Sequence, residues 1–334
     1  MLALGAALLV FFLYNVDLRG VARQIVHAHL GWLAISVLTM LVNLAIRAWR
    51  WQYLLEPIGR PSFLASFRAT CVGFAASTVL PARAGEVIRP YFLSRQERRI
   101  TATGAFATVI LERLLDMVTV LGLLAGYVLF ASHTVTDVNR AWFERVRLGG
   151  FAAAAAASGA LVVLFLLAGN PTRLAESLSR LERVLPSKLA GLLASVAEKF
   201  ATGLSVIRRP GRLLVALLLS VPLWLSIAAG VWSVAVAFSL DVSFLGSFLV
   251  IAILVLGVAV PTPGAVGGFH AAFRFAATTF FGAPDDAAVG AAIVLHLFTV
   301  LPSLLLGLLF AGQEGLNLSR MRTLADEAEG AAQP

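Results

Sequence analysis

The chain has 334 residues, 59% hydrophobic and only 13% charged, with a mean hydropathy of +0.89. Soluble domains carry about 25% charged residues, so this composition excludes a soluble globular fold and points to a polytopic membrane protein. The formal net charge of +8 would suggest nucleic acid in a soluble protein. In a membrane protein basic residues mark the cytoplasmic side instead, and no nucleic-acid partner is expected.

The first apolar stretch, 1–16, lacks the basic n-region and cleavage site of a signal peptide. It falls short of the ~20 residues of a full span. It reads as a short transmembrane helix or one clipped at its N-terminus. Further spans are expected at 31–47, 102–131, 149–169, 212–240 and 287–311. Two more apolar stretches, 62–80 and 244–282, run into proline-marked breaks and read as re-entrant hairpins. The expected fold is therefore all-α and polytopic, with about six transmembrane helices and two re-entrant hairpins.

The breaks are LPARAGEVIRPYF at 80–92 and VPTPGAVGGFH at 260–270, in matching places: Gly31 lies 50 residues before Pro81, and Leu213 lies 48 before Pro261. Irregular backbone does not face lipid tails, so each break should line a cavity. Paired breaks in a duplicated membrane protein mark a transporter site. Units 1–131 and 149–311 would then be inverted repeats within one transmembrane domain, 1–315.

Basic residues set the orientation. Nine arginines between Arg47 and Arg99, eight Lys or Arg in 170–212, and Arg320 and Arg322 make nineteen of the twenty-six on one side. By the positive-inside rule both termini are expected in the cytoplasm. In 170–211, Leu174, Leu178, Leu181 and Leu185 recur at helical spacing, as in an amphipathic helix on the inner surface. A flexible cytoplasmic tail is expected at 316–334.

Three groups of polar residues carry the candidate site. Glu112, Arg113 and Asp116 interrupt an apolar span, where each would cost about 2.5–3.5 kcal/mol on an isolated helix. Glu112 and Asp116 share a face and Arg113 reaches Asp116, as a salt bridge locking helices or as a functional site. Arg83, Gly85, Glu86 and Arg89 follow Pro81; arginine's planar fork suits phosphate, and Glu86 is placed to pair with Arg113. Arg47 and Arg50 share a helix face beside Trp49, Trp51 and Tyr53, as an interfacial aromatic belt or a lipid-phosphate capture point. In the second break, Pro261, Gly264, Gly267 and His270 are candidate lining residues, with His296 in the last span. Cys71 is the single cysteine and the five histidines have no ligand spacing, so neither metal nor cofactor is expected.

RAWRWQYLL, LPARAGEVIRPYF, ATVILERLLD and PTPGAVGGFH together resemble the flippase-like transmembrane family known from the membrane region of lysylphosphatidylglycerol synthases. The resemblance spans about residues 20–315 and implies movement of a lipid between leaflets. The matching polar positions are Arg83, Gly85, Glu86, Arg89, Glu112, Arg113 and Asp116. The sequence ends at Pro334 without the large soluble aminoacyl-transfer domain of the synthases, so that activity is not expected and the chain is not read as an enzyme. The partner implied is an anionic, phosphate-bearing membrane lipid. The alternatives are an accessory membrane subunit docking a lipid-biosynthesis enzyme, and an intramembrane hydrolase using Glu112 and Asp116.

Overall fold

The computed structural model describes residue 12 and residues 17–80, 83–131, 140–169, 200, 202–204, 209–259 and 262–314. These form ten helices and no strand: α1 (Leu18–His27), α2 (Leu30–Leu55), α3 (Phe63–Val79), α4 (Gly85–Gln96), α5 (Ala102–Ala131), α6 (Arg140–Gly169), α7 (Pro210–Ala237), α8 (Gly246–Ala259), α9 (Gly268–Phe281) and α10 (Asp285–Gln313). The chain is an all-α polytopic membrane protein. Among the described residues, α2, α5, α7 and α10 are long and apolar enough to cross a bilayer. The expected span at 149–169 falls within α6, whose 30 residues would extend about 45 Å at 1.5 Å per residue. The expected span at 1–16, the amphipathic segment (apart from a few residues near its end) and the tail lie outside the described residues.

Both expected hairpins are helix–break–helix units. Ser62 caps α3 by accepting from the Ala65 N–H at 3.1 Å, and the helix ends as Leu80 turns extended before Pro81. The chain returns as α4, which packs along α3, so the first hairpin extends beyond the expected 62–80, to Gln96. In the second, α8 and α9 flank a 3₁₀ turn at Pro263–Ala265. Gly264, Ala265 and Gly267 there have φ of +59°, +58° and +87°, a region that glycine enters without a Cβ penalty. Each hairpin closes on a glycine pair. A Cβ on Gly85 would overlap the Gly73 carbonyl oxygen, and one on Gly268 the Gly257 carbonyl oxygen. Absence of side chains thus sets the close approach of the limbs.

Element order repeats: long helix, hairpin, long helix in α2–α5 and again in α7–α10. Packing is exchanged in the same sense. α2 packs on α7, and α10 lies on α3 as α5 lies on α8. Ser36 meets Gly230, Asn43 meets Leu223 and Ser226, and Arg50 meets Ser220, so α2 and α7 run antiparallel. Leu38, Leu218, Leu256 and Leu305 remain exposed on the outer surface, the aliphatic face a bilayer would cover.

Candidate functional site

Glu112 and Asp116 lie one turn apart on the buried face of α5. Arginines reach them from two other helices. Arg50 of α2 donates from Nη1 to Asp116 Oδ1 at 2.7 Å and to Ser220 Oγ at 2.6 Å, and from Nη2 to Glu112 Oε1 at 3.4 Å. Arg47, one turn earlier, donates to Asp116 Oδ2 at 3.4 Å. Arg89 of α4 donates to Glu112 Oε2 at 2.7 Å and lies 3.7 Å above the Trp51 ring. Arg113 completes the group at 3.6 Å from Asp116, as its spacing predicts. Charge buried this deeply is tolerable only when paired, and this cluster ties α2, α4, α5 and α7 together.

The structure revises several expectations. Arg47 and Arg50 do not face outward toward lipid or solvent: they are 5% and 0% exposed. Trp49 is exposed, but Trp51 is wholly buried and donates to Thr108 Oγ1 at 3.0 Å. Only part of the sequence RAWRWQY is available to an aromatic belt, because one helix face of it turns inward. Glu86 does not pair with Arg113. It forms no salt bridge among the described residues, since the carboxylates of α5 take the arginines. Arg89 is buried, on the helix α4 that follows the first break.

The two breaks meet. Arg83, in the left-handed region at φ +56°, donates from Nη2 to the Val258 carbonyl at 2.6 Å, joining the first break to the end of α8. Gly264 sits against Thr78, and His296 Nε2 is 2.7 Å from the Gly264 carbonyl oxygen. Between the breaks lies a cavity of about 320 Å³. Arg83, Gly85 and Glu86 line it from one break and Gly264 from the other. Arg47, Arg89 and Arg113 form its charged wall. Arg50, Glu112 and Asp116 stand behind that wall and anchor it. Gly267 and His270 are not on the cavity surface. Gly267 donates its N–H to His270 Nδ1 at 3.4 Å, and His270 packs 5.0 Å from Phe12 and 4.5 Å from His296 between ring centroids. Pro261 lies outside the described residues.

Some residues of the site carried little sequence signal. Trp224 donates to Asp116 Oδ1 at 3.1 Å, and Ser220 accepts from Arg50. Both come from α7, 100 residues and more away in sequence, and nothing in the apolar run around them marks the contact. Asn43, a lone amide in an apolar span, was legible as an anomaly. It lines the cavity and donates to the Leu223 carbonyl at 3.0 Å and to Ser226 Oγ at 3.1 Å. Among the described residues no group of three metal-ligating side chains converges.

The family model described as the lysylphosphatidylglycerol synthase TM region matches residues 1–307. No curated protein matches the chain significantly.

Proposed function

Given that the chain belongs to the lysylphosphatidylglycerol synthase transmembrane-region family, we propose that it is a lipid translocase moving a phosphate-bearing lipid between leaflets of a bacterial inner membrane. The observation that carries this reading is the cavity where the two breaks meet, walled by arginines whose hydrogen-bonding capacity is not used up. Among the described residues, Arg89 Nε and Nη2 and Arg47 Nε find no partner. A buried donor without a partner costs about 1–3 kcal/mol, and phosphate oxygens suit the planar fork. The headgroup enters this cavity while the acyl tails stay in lipid. Glu112 and Asp116 hold the arginines in place without reacting.

The paired breaks and the exchanged, antiparallel packing of α2–α5 and α7–α10 support inverted repeats. Such repeats let one unit rock against the other around a central site. Asn43, Ser36 and their partners on α7 continue a polar seam away from the charged wall, adjoining a smaller space of about 80 Å³. The test is flipping in proteoliposomes of a labelled phospholipid against a phosphate-free glycolipid of equal tail length. The phospholipid should cross faster. Arg83→Gln, at an exposed position whose loss spares the buried cluster, should slow it severalfold. Equal rates for both lipids would sink phosphate capture by this cavity.

A further inference from the structure

The site is not electrically neutral. In its deepest layer Arg47, Arg50 and Arg89, each at most 5% exposed, face two carboxylates, Glu112 and Asp116. One positive charge is left over. Arg83 and Arg113 add two more on the cavity wall. Glu86 is the only acid lining the cavity among the described residues, and it takes back one. Among the described residues, five arginines against three carboxylates leave two positive charges uncompensated. Excess charge in a low-dielectric setting is costly unless something of opposite sign completes it. The backbone adds to the imbalance: α4, 12 residues long, begins at the cavity with Gly85 and Glu86, and a helix N-terminus favours anions. Arg113 Nε joins the Arg47 and Arg89 donors that lack partners among the described residues.

We propose that this cavity takes a phosphate group carrying two negative charges, as in a lipid phosphomonoester or diphosphate, in preference to a singly charged phosphodiester. The assignment rests on the reading that a phosphate headgroup occupies the cavity. It goes further by fixing the headgroup's charge from the charge of the protein around it. Glu86 sets the selectivity. It is half-buried and has no salt-bridge partner among the described residues, so replacing it orphans none of their arginines. The energy of a bound anion in the field of Glu86 scales with the anion's own charge. Glu86→Gln should therefore strengthen binding of a dianion by the square of the factor it gives a monoanion.

The experiment uses the full chain in phosphatidylcholine nanodiscs at mildly alkaline pH, where a phosphomonoester is a dianion. Phosphatidic acid and phosphatidylglycerol of equal tails are titrated, with inorganic phosphate and glycerol phosphate as soluble arms. Phosphatidic acid should bind about tenfold tighter than phosphatidylglycerol, and Glu86→Gln should raise the two affinities about tenfold and about threefold respectively. Equal affinity for the two lipids, or equal gains in the variant, overturns the assignment. Displacement of phosphatidic acid by inorganic phosphate at similar affinity upholds the dianion and moves its source from lipid to solution. The same lipids are followed for transbilayer movement in liposomes. Charge preference without movement sinks translocation and leaves this inference standing. Movement with no preference in binding does the reverse.

Discussion

Arg50 has no exposed surface, yet its guanidinium meets both carboxylates of α5 and a serine of α7. Its desolvation is offset only because every neighbour is aimed at it before any ligand arrives. Asp116 is the hub of this arrangement, taking Arg47, Arg50, Arg113 and Trp224 at once. Removing its charge leaves buried cations unbalanced. Asp116→Asn should lower stability by about 3–5 kcal/mol. By contrast, Arg147 bridges Glu144 at 2.7 Å with both side chains nearly half exposed, and Arg147→Ala should cost about 0–1 kcal/mol. Unfolding of the two detergent-solubilised variants compares them directly. Similar losses would mean that the cluster does not tie the helices together.

At the scale of the element, each hairpin is held by what its crossing glycines lack. A methyl at Gly85 meets backbone, the Gly73 carbonyl, together with Ser77 Oγ, and backbone cannot rotate away as a side chain can. Gly122, on the outer face of α5, has nothing within 4 Å of where its Cβ would lie. Gly85→Ala should destabilise by about 1–3 kcal/mol through overpacking, and Gly122→Ala should be neutral or stabilising by up to about 1 kcal/mol. Because Gly85 also lines the cavity, Gly85→Ala should slow lipid movement in the fraction that still folds. Paired melting curves and flipping rates measure both. A Gly85→Ala variant as stable as Gly122→Ala would show that the limbs do not need their close approach.

At the scale of the whole molecule, the site draws on charges that otherwise count toward orientation. Of the nine arginines from Arg47 to Arg99, Arg47, Arg50, Arg83 and Arg89 are engaged in the cluster or the meeting of the breaks. Arg68, on α3, reaches Glu314 at 3.9 Å, and Arg60, Arg95, Arg98 and Arg99 remain near the ends of α2 and α4. By the positive-inside rule these are expected to place that end of the molecule in the cytoplasm, and the loop after α7, with Asp241, on the opposite side. Both Arg98 and Asp241 are exposed. In a background with the buried Cys71 replaced, a membrane-impermeant thiol reagent should label Arg98→Cys only from the cytoplasm and Asp241→Cys only from outside. Labelling of Arg98→Cys in intact cells would invert the orientation.

Composition alone determined that this chain lives in a bilayer, because too few charged residues remain to clothe a soluble surface. The proline and glycine clusters determined where regular helix must stop, since proline withholds a backbone donor and glycine admits left-handed backbone. The spacing of Glu112, Arg113 and Asp116 determined one shared face and one ion pair, both local consequences of helical geometry. Which arginines would answer those carboxylates was decided only in three dimensions. Arg47 and Arg50 read equally as surface anchors until the packing of α2 against α5 and α7 turned their face inward. Glu86 read as a partner for Arg113 until Asp116 proved nearer. Trp224 and Ser220 gave no sign at all, because an apolar helix does not record which neighbour it will meet. Pairing between distant segments depends on which faces pack, and sequence periodicity shows that a face exists without naming its partner.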